Sequence, residues 1–235
     1  MRSTVSEGLR VVRSCPGDPQ GDLALEEQLL LGVPKPCLFL YSWPRPVVVL
    51  GCGQPETDVD RAFCRSMGIP VLRRSSGGTG VVHHDDLSVS LVLPAAHPWA
   101  RRIGDLYDRF LEVVQETLGR VGAETERYQG PTMPVRPRSP ICFEGMGRET
   151  LLVGGRKAVG CAQARRRHAV MVHGTLMLHL DPVLHGGVFG VSPDRIAASL
   201  APLPPLDREA LCQFLEVGFR EALRDAAAPG EGDRR

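Results

Sequence analysis

TLLVGGRKAVGCAQARRRHAVMVHGTLMLHL, residues 150–180, reads as three strand-like runs joined by two turns. Thr150 to Val153 runs into Gly154-Gly155, a pair suited to the positive φ angles of a two-residue hairpin. Arg156 to Ala164 follows and leads into the basic turn Arg165-Arg166-Arg167, and Ala169 to Leu180 completes an antiparallel meander. Upstream, Leu87, Val89, Leu91 and Leu93 alternate with Ser88, Ser90 and Val92 in a period-two strand ended by Pro94. Cys37 to Trp43 and Val47 to Leu50, parted by Pro44 and Pro46, read as adjacent strands, and Ile69 to Arg73 as another.

Helical segments interrupt these strands. Asp22 to Leu31 is closed by Gly32, and Thr57 to Met67 is stopped by Gly68. Ile103 to Leu118 places Ile103, Leu106, Phe110, Leu111, Val114 and Leu118 on one side. A short helix opens at Ser192-Pro193, with the serine as cap, and a last one spans Asp207 to Ala227. Mixed elements without strict βαβ alternation predict an α+β fold. The expected organisation is one domain over residues 1–225 and a disordered tail over 226–235.

Composition narrows the function classes. With 235 residues and 43% hydrophobic content, the chain can bury a substantial core. A net charge of +1 gives no bulk electrostatic drive toward nucleic acid or membrane, and 5% aromatics argues against a base-stacking platform. The seven cysteines form no CxxC pair, which argues against a disulfide framework or a zinc finger. The start, MRSTVSEGLR, has no apolar signal region, and no apolar run reaches the roughly 20 residues of a membrane helix. The expected setting is reducing and cytoplasmic.

Several places could carry chemistry. In Ser75-Ser76-Gly77-Gly78, successive glycines allow close backbone approach, and exposed N–H groups there could hold a carbonyl or phosphate oxygen; an ordinary turn is the competing reading. Arg73 and Arg74 could meet a phosphate or stay solvated. His83-His84-Asp85-Asp86 invites a metal, but neighbours on extended chain point to opposite faces, so loop structure is the favoured reading and no metal is assigned. Lys157 follows the hairpin turn, as either a solvated lysine or one that reaches a substrate carbonyl. Cys142, after a proline-rich loop spanning Gln129 to Pro140, and Cys161, four beyond Lys157 and so on its face by strand parity, are rival nucleophiles; a nearby ammonium would activate either thiol.

These residues resemble the biotin/lipoate protein ligase superfamily in its lipoate-assembly branch, over roughly residues 10–205. The family's Arg-Arg-x-Ser/Thr-Gly-Gly block is matched by Arg73 to Gly78, and its Val-x-His-x-Asp element by Val81, His83 and Asp85. Its lysine strand is matched by Gly155 to Gln163, and its His-Gly-Thr/Ser-Leu strand by His173 to Leu176. Within that branch the pattern is similar to the cysteine-dependent octanoyltransferases, whose Cys-Phe element is matched by Cys142-Phe143.

The resemblance implies a mostly antiparallel sheet with packed helices. It implies Cys142 and Lys157 as the catalytic pair. Arg73, Arg74, Ser76, Gly77, Gly78, His83, Gly160, Ala162, His173 and Gly174 would bind substrate, with the glycine block and the lysine strand lining a narrow apolar tunnel. Acyl carrier protein would be the donor. A lipoyl carrier domain, the glycine-cleavage H protein or a 2-oxoacid dehydrogenase E2, would be the acceptor. That reaction needs no cofactor. The alternatives are a lipoate–protein ligase using ATP and Mg, an amidotransferase between lipoyl domains, and a non-catalytic lipoyl-domain binder.

Overall fold

The computed structural model describes residues 2–6, 8–14, 17–131 and 145–227. Cys142 lies outside the described residues, as do positions 132–140 of the proline-rich loop.

The meander forms β9 (Thr150–Val153), β10 (Arg156–Arg165) and β11 (Ala169–Leu176). Gly154 and Gly155 take φ of 56° and 75°, the left-handed pair that a tight hairpin requires. β11 pairs antiparallel with β7 (Leu87–Pro94), and β7 with β3 (Cys37–Ser42). Outward from β3 lie β2 (Leu9–Arg13), which runs parallel to it, and β1 (Arg2–Ser6). β8 (Glu126–Arg127) closes the far edge beside β9. The order of this eight-stranded sheet is β1-β2-β3-β7-β11-β10-β9-β8.

A smaller sheet, ordered β5-β4-β6, stands apart, with β4 (Val47–Leu50) at its centre between β5 (Val71–Arg73) and β6 (Val81–His83). The expectation that β3 and β4 pair is therefore corrected. Pro44 and Pro46 lack the N–H groups that a continuing ladder needs. The chain steps across them from one sheet to the other, and β3 takes β2 and β7 as neighbours instead.

Helix α3 (Ile103–Arg120) and helix α6 (Arg208–Ala227) pack over one face of the large sheet, burying Leu106, Phe110, Val114, Leu215 and Phe219 against Leu38, Val89 and Val172. Ile103 does not join that stripe; at the first helical position it is 56% exposed. Helix α1 (Pro19–Leu31), begun by the Asp18 cap, belongs to a second cluster with Phe39, Tyr41, Trp43 and Met171. With both faces covered, β7 is buried nearly throughout, so its alternating serines point inward and Ser88 accepts a hydrogen bond from Trp43 Nε1 at 2.8 Å.

The segment expected as one helix over Thr57 to Met67 is instead a 3₁₀ turn (Glu56–Asp58) followed by α2 (Arg61–Ser66), because Asp60 caps the second piece through the Phe63 N–H. The small sheet packs with α2, α4 (Pro182–Phe189) and α5 (Pro193–Ser199) in a third cluster. β11 ends at Leu176, short of the expected Leu180, and α4 begins six residues later. Asp181 caps it, Pro182 opens it and Gly190 ends it at φ 65°. Among the described residues no helix is long and apolar enough to cross a membrane.

Candidate active site

The β10–β11 pairing sets Cys161 opposite Gly174 and Ala162 opposite His173. Side chains from α1, β3, β4, β6 and β7 meet this pair around a slot of about 30 Å³, close to the volume share of one water. Its walls mix apolar Leu23, Tyr41, Trp43, Val49 and Val81 with Arg74, His83 and His173. A wider cleft of about 350 Å³ lies beside it, lined by Gly77, Gly78, Tyr107, Gly145, Lys157 and Gln163 among others. Cys161 and Ala162 line both spaces.

Lys157 is 2% exposed, so it is not a solvated hairpin lysine. Its Nζ donates to the carbonyl of Gly145 at 2.8 Å. A bulge between Lys157 and Val159 breaks the strand's period of two. The parity that set Cys161 on the lysine's face therefore fails. Cys161 packs in the α3 core, with its Sγ placed 2.9 Å from where a Cβ on Gly174 would stand.

The two arginines of the glycine block organise the backbone. Arg73 Nη1 donates to the carbonyls of Gly51 and Gln54, both at 2.7 Å, and the residue lines neither space. Arg74 is buried. It donates to Ser76 Oγ at 2.9 Å, to the Gly77 carbonyl at 2.8 Å and to the Thr79 carbonyl at 3.0 Å. Gly78 sits at φ 91°, and a Cβ on Gly51 would meet the Gly78 carbonyl oxygen at 2.1 Å. Only glycine permits that approach.

Ser76 Oγ also lies 2.7 Å from His173 Nε2, and His173 Nδ1 lies 3.2 Å from Glu26 Oε1. Glu26 accepts a second bond, from the Tyr41 hydroxyl at 2.9 Å. Burial pushes the Glu26 carboxyl up, but the His173 charge and the bonds from His173 and Tyr41 outweigh it and hold the group below the usual range. This buried relay from α1 to the glycine block escapes the sequence reading. Its one signal is the acidic pair Glu26-Glu27 set among the leucines of α1.

His83 stacks on Trp43 with ring centroids 4.1 Å apart and shares a 3.2 Å hydrogen bond with Asp86. Burial drives His83 well down and Asp86 well up, favouring the neutral form of each. Asp85 instead accepts from Arg208 at 2.6 Å. Within this run His83 and Asp86 thus bond to each other, Asp85 turns to Arg208, and His84 packs edge-on against His179. Among the described residues no group of three or more His, Cys, Asp or Glu side chains is placed to hold a metal ion.

An eight-stranded, mostly antiparallel sheet with a glycine block and a buried lysine at its cleft defines an α+β domain. The chain belongs to the lipoyl protein ligase A/B catalytic domain family, whose model matches residues 18–205. Among its relatives is octanoyltransferase LipM of an Exiguobacterium species, 32% identical over 189 residues, covering 77% of this chain and 68% of the relative. Octanoyltransferase LipM of Kyrpidia tusciae is 28% identical over 247 residues, covering 94% and 89%. Similar solved folds include a lipoate-protein ligase A bound with ATP (TM-score 0.73, 23% identity, 92% of this chain and 85% of that one). A bi-partite lipoate protein ligase from Thermoplasma acidophilum, studied with its E2 lipoyl domain, gives a TM-score of 0.72 at 23% identity, covering 92% and 82%.

Proposed function

We propose that this protein is an octanoyltransferase of lipoate assembly, moving octanoyl from a carrier thioester to a lysine of a lipoyl carrier domain. The observation that carries the reading is the buried Lys157 ammonium at the wall of the cleft, facing the glycine block, in a chain whose relatives are named octanoyltransferases.

Cys142 is the nucleophile in this reading. It stands three residues before Gly145, the acceptor of the Lys157 bond. The thiolate attacks the carrier thioester, the bond from the acyl carbon to the carrier sulfur breaks, and the carrier leaves as a thiol after taking a proton. Lys157 stabilises the thiolate and the developing oxyanion, and N–H groups of the glycine block add to the hole. The neutral amine of the acceptor lysine then attacks the enzyme thioester. An amide forms, the amine gives up a proton, and the Cys142 thiolate is restored.

In this reading the acyl chain lies in the cleft, with the slot at its inner end. Each buried methylene contributes about 0.8 kcal/mol to its hold. Acyl carrier protein is the donor in this reading, and the glycine-cleavage H protein or an E2 domain the acceptor.

Intact mass after incubation with octanoyl-acyl carrier protein, without ATP, tests this. A hydroxylamine-sensitive octanoyl adduct that is absent in Cys142→Ala is the expected result. No adduct, with lipoyl-domain modification only when ATP, Mg and free lipoate are supplied, would assign the ligase reaction instead.

A further inference from the structure

The cleft has a basic threshold on one side only. Gln163, on the cleft wall, donates through Nε2 to the Ile103 carbonyl at 2.7 Å, and Arg165 donates to the Ala100 carbonyl. These bonds lock the β10–β11 turn against the start of α3. Arg101 and Arg102 from one segment, and Arg166 and Arg167 from the other, are thereby set side by side, all exposed. None of the four has an ion pair among the described residues.

Ile103, 56% exposed, stands where the two segments join. Tyr107, one turn further along α3 and so on the same helical face, lines the cleft itself. The surface is thus continuous from the arginines, across an exposed aliphatic side chain, to the reacting groups. Gln163 and Arg166 are three positions apart, roughly 10 Å along extended chain.

Acidic residues gather on the far side of α3, while the cleft itself carries Glu149. The groove between α3 and α6 is lined by Glu112, Glu116, Glu221 and Asp225 against Arg109. With a net charge of only +1, the molecule owes any steering to this separation, not to its total.

We propose that Arg101, Arg102, Arg166 and Arg167, around Ile103, form the docking edge for the acceptor carrier domain, which presents an acidic face beside its target lysine. This rests on the acyl-transfer reading and specifies where its second substrate binds. The partner is assigned by charge complementarity and by the continuity of the edge with the cleft. Arg165 is not a docking residue, because its guanidinium is spent on Ala100 and Gln163.

The test separates docking from chemistry. A small octanoyl thioester, octanoyl-N-acetylcysteamine, loads the enzyme without a carrier protein. Wild type, an Arg166→Glu/Arg167→Glu variant and an Arg101→Glu/Arg102→Glu variant are compared for this loading and for transfer to an apo lipoyl domain. Loading should be unchanged in both variants. The KM for the lipoyl domain should rise about tenfold or more at low salt, with little change in kcat and a shallower salt dependence than in wild type. A Glu112→Lys/Glu116→Lys control should leave that KM in place.

If wild type never loads, the acyl-transfer reading fails. If both variants load normally and keep the wild-type KM and salt dependence, the docking edge is refuted. It is also refuted if the arginine variants lose only their retention on DNA or anionic vesicles and transfer as before.

Discussion

Replacing Lys157 by methionine should separate chemistry from stability. The ammonium is 2% exposed and bonded at 2.8 Å to the Gly145 carbonyl. Methionine keeps most of the length of the side chain and removes the charge. Losing one preorganised donor at a developing oxyanion costs about 10²–10³ in rate, or about 3–4 kcal/mol. Stability runs the other way, because exchanging a buried charge for an apolar side chain of similar volume is neutral or stabilising by about 1–4 kcal/mol. The abandoned Gly145 carbonyl costs about 1–3 kcal/mol in return. The net change is therefore within about 3 kcal/mol in either direction, or at most roughly 12 °C in Tm for a chain of this size. Single-turnover loading from an octanoyl thioester, followed by intact mass, reads the first quantity, and thermal denaturation by circular dichroism reads the second. A folded Lys157→Met protein that loads within about threefold of wild type would refute the assigned role.

Three further outcomes follow from the same site. Gly51→Ala puts a Cβ 2.1 Å from the Gly78 carbonyl oxygen; it should cost about 1–3 kcal/mol by overpacking and slow loading by displacing the glycine block, as chemical denaturation and the loading assay would show. Burial pushes the Asp22 carboxyl from 3.8 up to about 6, with the Ser14 bond opposing and the Asp18 and Glu26 charges adding. The folded chain then holds that proton more tightly than the unfolded chain. Stability falls as pH rises between those values and stays lower above them, so Asp22→Asn should raise Tm near pH 7.5 and bring about no gain near pH 3.5. Glu26→Ala leaves the Tyr41 hydroxyl and His173 without their shared acceptor; denaturant unfolding should show a loss of about 3–5 kcal/mol, and an unchanged midpoint would remove Glu26 from the relay.

The residues that pattern and turn chemistry specify were legible in the sequence. Gly154-Gly155 encodes its hairpin because two left-handed residues in a row leave little alternative. α3 is readable because its apolar period persists over 18 residues. α4 carried its own signals, a capping Asp181, Pro182 at the start and Gly190 at the end. The run Met177 to Leu180 before them looks continuous with β11 and hides the boundary. β1, β2 and β6 are short, and β1 and β2 gain their place only by pairing in the sheet, which no local pattern announces.

The site divides in the same way. Arg74, Ser76, Gly77, Gly78, His83, Lys157, Gly160, Ala162, His173 and Gly174, picked out by motif, line or brace one pair of adjoining spaces. Their spacing in the chain could not show that Glu26 anchors His173, because that contact joins residues 147 positions apart. Nor could it show that Arg73 clamps the 51–54 loop, or that a bulge between Lys157 and Val159 breaks the strand period from which Cys161 is read onto the lysine's face.

By itself the sequence determined the α+β class, the hairpins and the family motifs, since these depend on backbone preferences and side-chain periods acting over a few residues. Only the tertiary structure decided which strands share a sheet, that Lys157 is buried, and that arginines from two separate segments meet at one edge of the cleft. Those outcomes depend on long-range packing, in which each element's exposed and buried faces are set by neighbours distant in the chain.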